Sequence, residues 1–276
     1  MLAQREAILK LLRDDDPETV ALVREQLVLR GAPAREGLRD LLSEGDAVVS
    51  RHVGAILGRI DANEAQRELA ALCRNFPDAD GLAALEKAAF LLARCLEPGI
   101  DAASARRQLD AWGAQLARRV PETLPEGEKV RRVGDFFGQE LGLHGDTEHY
   151  YEVGNSLLPK VIATRRGIPL SLSLVYLFTG ARAGLAIEGV SFPGHFLVRL
   201  GDSLLDPFKG GRFLSDCNAA AILARQNLPI MPEYFRSAAS RMIFHRMLAN
   251  LLYLYRCEDG KVADLLEGWM HDLKGG

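Results

Sequence analysis

The sequence predicts a mostly helical α+β protein in which a small antiparallel sheet packs on a buried central helix. Apolar residues recur at three- and four-residue spacing through about the first 140 residues, which is typical of helices. Short apolar runs that resemble strands follow at 185–190, 195–200 and 203–208. Helical patterns then return at 215–226, 237–256 and 260–273. Strands that follow a run of helices, rather than alternating with them, indicate α+β and not a parallel βαβ sheet.

Length and composition are those of an ordinary globular protein. The 276 residues are 48% hydrophobic and 26% charged, so the chain is long enough for a large core and two domains. A net charge of −3 gives no signal for nucleic-acid binding. The start, "MLAQREAILKLLRDDD", is amphipathic and charged, so we expect no signal peptide. No apolar run is long enough to span a bilayer, and no membrane association is expected.

The cysteines carry no sign of a disulfide framework or a zinc site. Cys73, Cys95, Cys217 and Cys257 are far apart and form neither a CxxC pair nor a metal-ligand spacing. We therefore expect no metal or cofactor. Together with the missing targeting segment, this cysteine usage predicts a reduced, cytoplasmic protein.

The N-terminal residues 1–78 are predicted to form a separate helical segment. In "DDDPETVALVREQLVLRG", Asp16 is a suitable N-cap, Pro17 suits the first helical position and Gly31 suits a C-terminal stop. Two further helical patterns follow, "PAREGLRDLLSEG" and "DAVVSRHVGAILGRID". This series resembles one or two degenerate HEAT-type repeats, and an ordinary small helical bundle is the alternative that the pattern leaves open.

Two later segments have distinct residue compositions. The stretch "GLAALEKAAFLLARCLEPGI" is apolar nearly all round, which predicts a buried helix. The segment "HGDTEHYYEVGNS" is rich in polar and aromatic residues and is predicted to be a loop, the kind of segment that often carries function.

The stretch "RRGIPLSLSLVYL" predicts a buried helix that begins at a tight turn. Gly167 makes the turn, Pro169 suits the first helical position and Gly184 suits the C-terminal stop. Because the helix is apolar on all sides, we expect it at the centre of the domain. A side chain at its N-terminus would lie at the positive end of the helix dipole, which favours thiolates and other anions.

A hairpin is predicted within "GHFLVRLGDSLLDPF". The dipeptide Gly201-Asp202 between two apolar runs favours a two-residue turn, which makes Leu200 face Ser203. In that register His195 and Asp206 share a face as diagonal neighbours, about 7–8 Å apart between backbones and within side-chain reach. A His held by a carboxylate is the orienting half of a nucleophile–His–Asp triad. Two alternatives remain open: Asp206 begins its own turn before a proline, or a three-residue loop puts the two residues on opposite faces.

These features together resemble the transglutaminase-like superfamily of papain-related Cys-His-Asp enzymes. The segments "YYEVGNSLLPKVIATRRGIPLSLSLVYL", "GVSFPGHFLVRL", "LLDPFKGGRFL" and "HRMLANLLYLY" are similar to the SirB-like family of bacterial proteins, which is shared with an F-box protein of animals. The similarity runs from about residue 85 to 257. It implies a transglutaminase-like domain with C-terminal helices over residues 79–276.

The resemblance assigns catalytic roles residue by residue. It matches the superfamily's His to His195 and its Asp to Asp206. The Cys of the usual G-x-C pattern falls at Pro169, which has neither a nucleophile nor a donor, and "GIP" is the SirB-like pattern there. Ser171 is the nearby hydroxyl that could substitute, but two further helical residues rotate a side chain by about 200°. The alternative for Ser171 is a small residue at a close packing contact.

Other candidate residues surround this helix in the sequence. Asn155 is predicted to cap the following helix, with a cleft role as an alternative. Tyr151 is a candidate wall of the cleft. Arg166 is either solvated surface or an anion ligand near the helix start. His144 and His149 flank Asp146 and could bind a metal, although the histidines do not have the usual spacing of metal ligands.

Three functions are compatible with these residues. The first is a transglutaminase-like binding or regulatory module without a cysteine nucleophile, whose residual cleft at His195 and Asp206 takes a peptide, protein or small-molecule ligand. The second is a hydrolase or acyl transferase that uses Ser171, His195 and Asp206. The third is a scaffold whose N-terminal helices bind a protein partner.

Overall fold

The fold is described from a computed structural model that covers residues 2–43, 45–77 and 81–275. Within these residues the chain is mostly helical with a small antiparallel sheet, so the predicted α+β class is confirmed. The predicted domain boundary between residues 78 and 79 lies outside the described residues. No helix in the described part of the chain has both the length and the apolar character needed to cross a membrane.

The chain divides into two compact units. One contains the residues up to Leu69 together with Arg94–Ile100, and the other contains Ala70–Ala93 and the residues from Asp101 onward. The helices that begin in the first unit are α1 (Leu2–Leu12), α2 (Pro17–Arg30), α3 (Arg35–Leu42) and α4 (Ala47–Arg74).

The first unit has its own apolar core and the predicted helix ends. The side chain of Asp16 accepts hydrogen bonds from the backbone N–H groups of Glu18 and Thr19, and Pro17 begins α2. Gly31 ends α2 with φ +63°, a conformation that glycine adopts without strain. The buried apolar side chains of this core are Leu9, Leu12, Leu27, Val28, Leu38, Leu41, Val49, Val53, Ile56 and Ile60. HEAT-type repetition of these helices stays a prediction.

The other helices begin in the second unit. They are α5 (Gly81–Leu96), α6 (Ala102–Arg119), α7 (Glu126–Asp135), α8 (Leu158–Thr164), α9 (Pro169–Arg182), α10 (Asp216–Arg225), α11 (Ser240–Tyr255) and α12 (Gly260–Gly275). Short 3-10 segments cover Val153–Ser156 and Pro207–Lys209, among others, and a π-helical turn covers Phe136–Glu140. The predicted burial of α5 is confirmed, since most of its residues from Ala84 to Ala93 are buried.

The sheet contains the predicted hairpin. Its strands, in spatial order, are β3 (Ile187–Val190), β4 (Leu197–Leu200), β5 (Ser203–Asp206) and β6 (Arg212–Phe213), all antiparallel. A separate parallel pair joins β1 (His144–Gly145) to β2 (Arg166–Gly167). The two-residue strands β1, β2 and β6 were not predicted, because a run of two residues has no detectable alternation. One of them, β1, begins the segment that the sequence predicts to be loop.

Helix α9 lies at the centre of the second unit, as predicted. Every residue from Pro169 to Gly180 is buried, and α9 contacts both β3 and β4. Pro169 is its first residue. Gly184, with φ +72°, follows its end, and the N–H of Leu185 returns to the carbonyl of Gly180 at 2.9 Å. This is the glycine stop of a Schellman motif, so the predicted end is confirmed.

A matched pair of glycines tests how closely the turn after β5 packs on α9. Gly211 and Gly184 both have φ +72°, but a Cβ at Gly211 would lie 2.7 Å from Tyr176 Oη and 2.9 Å from Gly134 O, whereas a Cβ at Gly184 meets nothing within 4 Å. We expect Gly184→Ala to lower the free energy of unfolding by about 1 kcal/mol through backbone strain alone. Gly211→Ala should cost about 1–3 kcal/mol more, because it also overpacks the core. Urea denaturation of both variants checks this, and equal losses would contradict the packing.

Candidate functional site

The hairpin register brings His195 and Asp206 together. Leu200 pairs with Ser203 and Val198 with Leu205, so the predicted register is confirmed. His195 Nδ1 lies 3.8 Å from Asp206 Oδ2. This distance is longer than a hydrogen bond, and each of the two atoms is buried without a hydrogen-bond partner among the described residues. The structure therefore places the two side chains side by side, with an unfilled acceptor on the carboxylate.

The two oxygens of Asp206 have different surroundings. Oδ1 accepts hydrogen bonds from the backbone N–H groups of Phe208 (3.0 Å) and Lys209 (3.3 Å), which caps the 3-10 turn. Oδ2 lies 3.9 Å from Lys209 Nζ in addition to its approach to His195. The side chain of Asp206 is only 2% exposed. Both interpretations of Asp206 thus hold at once, because it begins the turn with one oxygen and faces His195 with the other.

Tyr176 adds a third buried polar atom to this region. Its hydroxyl is buried without a hydrogen-bond partner among the described residues, and its ring stacks on Phe137 at 3.8 Å. Burial, and to a smaller extent the charge of Asp206, raise the pKa of the Tyr176 phenol well above its usual range. The phenol therefore stays neutral and keeps its proton as a donor. The sequence analysis missed Tyr176; its one signal was a phenol within a mainly apolar buried helix.

Arg246 fixes the backbone at His195. From α11 its guanidinium donates to His195 O at 3.1 Å and to Ser191 Oγ at 2.7 Å, and it lies 5.4 Å from the centre of the Phe196 ring. Burial lowers the pKa of Arg246, while the nearby Tyr150 hydroxyl acts in the opposite direction. Sequence reasoning missed this residue, because the contact joins positions 51 residues apart.

The start of α9 offers no available nucleophile. Pro169 is buried at the first helical position. Ser171 Oγ is directed at backbone carbonyls, that of Asn155 at 2.6 Å and that of Ile168 at 3.1 Å, and not at His195. A Cβ at Gly167 would lie 2.7 Å from this hydroxyl, so the packing around it is close. The geometry thus disfavours a catalytic Ser171 and fits the alternative of a small residue at a tight contact.

Asn155 does not cap α8, so that prediction was wrong. The N-cap of α8 is Leu157, and Asn155 lies one turn earlier in the 3-10 segment. Its buried side chain donates to His149 O at 2.7 Å and also bonds to Asp146. The 3-10 turn draws Asn155 back into the preceding loop, where its amide holds the loop instead of pointing towards His195.

Asp146 organises the same loop. Its carboxylate accepts a hydrogen bond from the His149 N–H at 2.9 Å, and its own N–H donates to Gly167 O at 3.1 Å. The His149 N–H, the Asn155 amide and the charge of Arg166 help to hold the pKa of Asp146 below its usual range. In the described part of the chain no group of three or more His, Cys, Asp and Glu side chains could hold a metal.

Tyr151 and Arg166 lie at the surface. Tyr151 is 68% exposed, and its ring lies 5.2 Å from that of Tyr150 and 6.1 Å from that of Tyr253. Tyr150 in turn contacts Phe208 edge-on at 6.0 Å, which links these aromatic rings to the turn that Asp206 begins. The side chain of Arg166 is exposed, and its positive charge interacts electrostatically with Asp146.

Comparisons with known proteins agree on one family. A family model described as transglutaminase-like superfamily matches residues 103–249. A UPF0162 protein of Xylella fastidiosa (strain Temecula1) is 34% identical over 186 residues, which is 63% of this chain and 66% of the relative. A UPF0162 protein of Pseudomonas aeruginosa is 30% identical over 190 residues, 66% of this chain and 68% of the relative. F-box only protein 21 of Mus musculus is 40% identical over 131 residues, 43% of this chain but only 20% of that protein.

The match thus spans about two thirds of the length of these UPF0162 relatives. No solved structure matches the chain.

The two roles of Asp206 can be separated by substitution. Asp206→Ala removes both bonds to the turn N–H groups and should lower the free energy of unfolding by about 1–3 kcal/mol. Asp206→Asn keeps an oxygen for Phe208 and Lys209 and should cost less than half as much. Urea denaturation measures both values, and equal losses would show that the turn does not depend on this oxygen.

The cysteines should differ sharply in reactivity. Burial raises the pKa of the Cys73 thiol to about 12, so it has almost no thiolate at neutral pH. Cys217 and Cys257 are exposed. We expect a disulfide reagent such as DTNB to modify these two thiols first and Cys73 only on unfolding, as mapped by mass spectrometry. Prior modification of Cys73 in the native protein would contradict its burial.

Proposed function

Because the chain belongs to the transglutaminase-like superfamily and, within it, to the SirB-like UPF0162 proteins, we propose that it is a binding module built on an enzyme scaffold. In this proposal the cleft at His195 and Asp206 recognises a peptide, and no covalent intermediate forms. The cytoplasm, as predicted from the cysteines, is the proposed location.

The absence of a nucleophile supports this proposal. The family resemblance implies that a reactive cysteine would stand where this chain has Pro169, and the four cysteines of the chain lie elsewhere in the sequence. Acyl transfer needs a nucleophile within hydrogen-bond reach of its base. Ser171, the nearest hydroxyl in sequence, donates to main-chain carbonyls instead. A retained His–Asp pair without a nucleophile is better suited to holding a ligand than to attacking one.

The observation that carries the proposal is that buried Asp206 Oδ2 accepts no hydrogen bond from the described residues. A buried polar atom without a partner costs about 1–3 kcal/mol, because it has lost its water and gained nothing. His195 Nδ1 and Tyr176 Oη are in the same situation. One carboxylate oxygen and two further polar atoms without hydrogen bonds are a set of groups that a ligand with hydrogen-bonding atoms would satisfy.

Two alternatives to the binding function remain. A hydrolase or acyl transferase would use Ser171 after a rotation of its hydroxyl towards His195. A scaffold role for the N-terminal helices is favoured by exposed leucines on α2, where Leu22 is 63% and Leu29 is 76% exposed. Their proposed partner is another protein.

Affinity selection from a pool of free random hexapeptides tests the binding function. The full chain and its Asp206→Asn variant are each incubated with the pool, and retained peptides are identified by mass spectrometry. We expect peptides that bind the native chain at least about tenfold more tightly than Asp206→Asn, because the variant replaces the free acceptor by a donor. Peptides that bind both proteins equally would place binding elsewhere and contradict the proposal.

An activity assay on the same proteins separates binding from hydrolysis. Hydrolysis of p-nitrophenyl acetate should be the same for the native chain, Ser171→Ala and the matched control Ser173→Ala. A rate that falls at least about a hundredfold in Ser171→Ala and His195→Ala, but not in Ser173→Ala, would establish the serine hydrolase instead.

A further inference from the structure

Asp206 also lines a pocket of about 210 Å³. One side is formed by Lys209 of the turn and by β6. The other side is one face of α10, whose lining residues are three or four positions apart: Asn218, Ala221, Ile222 and Arg225. Pockets for drug-sized ligands measure about 300–1,000 Å³, so this one suits a single residue or an end group.

The pocket has a surplus of positive charge. Lys209, Arg212 and Arg225 line it together with one acid, Asp206. Arg212 pairs directly with Asp206 across β5 and β6, so the two side chains share a face, with Cβ atoms about 4.5–5.5 Å apart. Within the described residues, Arg212 and Arg225 form no ion pair with an acidic side chain. These two guanidinium groups are therefore available to an anion.

The same pocket is lined by a carboxylate and an apolar wall. Asp206 lines it, and the Oδ2 atom of this residue is buried and accepts no hydrogen bond from the described residues. Ile222, Leu214 and Phe213 contribute apolar surface. A phosphate dianion would satisfy the arginines but would be repelled by the negative charge of the Asp206 carboxylate. The occupant that fits has an N–H donor and a carboxylate close together, beside an apolar group.

We infer that this pocket binds the C-terminal residue of a peptide, an inference that rests on the proposed binding function. In such a residue the amide nitrogen and the carboxylate carbon are bonded to the same Cα, about 2.5 Å apart. The N–H donates to Asp206 Oδ2, and the carboxylate accepts from Arg212 and Arg225. The side chain packs against Ile222 and Phe213, which favours an apolar last residue.

Fluorescence anisotropy with a matched peptide pair tests this inference. The probes are fluorescein-labelled hexapeptides of sequence GSGSAL, one with a free C-terminal carboxylate and one with a C-terminal amide. For the full native chain we expect the free acid to bind at least about tenfold more tightly than the amide, because charge-assisted bonds to arginine are lost in the amide. Equal binding of the two peptides, or binding of neither, would overturn the inference.

Charge-matched variants locate the effect. Arg212→Gln combined with Arg225→Gln should lower the affinity for the free acid to that for the amide. Arg107→Gln combined with Arg118→Gln, two exposed α6 arginines outside the lining of this pocket, controls for net charge and should leave the preference intact. A preference that survives in the double variant would overturn the inference. So would displacement of the peptide by inorganic phosphate at a lower concentration than by N-acetyl-leucine.

The result also separates this inference from the binding function. Hexapeptides that are selected by the native chain and lost with Asp206→Asn, but that bind equally well as acid and amide, would leave the binding function standing and refute C-terminal recognition. Peptides that bind the native chain and Asp206→Asn equally well would refute both the binding function and C-terminal recognition.

Discussion

The structure of the second unit depends on the carboxylate of Asp206, whose two oxygens have different surroundings. One oxygen holds the N–H groups of Phe208 and Lys209 and so fixes the turn that leads to β6. That turn brings Arg212 back beside Asp206. The other oxygen is buried 3.8 Å from His195 Nδ1 and 3.9 Å from Lys209 Nζ, and it accepts no hydrogen bond from the described residues. A buried acceptor without a hydrogen bond is costly for stability, which is why we propose that this oxygen serves binding.

Helix α9 explains why Asp206 is present without the cysteine chemistry that the family resemblance implies. Its buried N-terminus lies at the centre of the unit, and its first residue is Pro169, at the position where the family resemblance implies a nucleophile. The next hydroxyl, that of Ser171, ties the helix start to the carbonyl of Asn155. The residues that start the helix therefore hold no free hydroxyl or thiol in the described structure, which is why we propose a site that binds a ligand without attacking it.

Local sequence signals predicted those parts of the fold that neighbouring residues determine, such as turns and helix ends. The Gly201-Asp202 turn set the register that places His195 beside Asp206, and Gly184 marked the end of α9. Prediction failed where partners lie far apart in sequence. A 3-10 turn moved Asn155 away from the helix it was expected to cap, and no spacing rule reveals that Arg246 holds the backbone of His195.

The central claim is that Asp206 Oδ2 accepts a hydrogen bond from a ligand that no nucleophile attacks. The most direct measurement is a crystal structure of the full chain soaked with N-acetyl-leucine. The claim predicts the ligand N–H within about 3.2 Å of Asp206 Oδ2, its carboxylate against Arg212, and no covalent bond to the protein. An empty pocket, or Ser171 Oγ turned to within hydrogen-bond distance of His195, would contradict it.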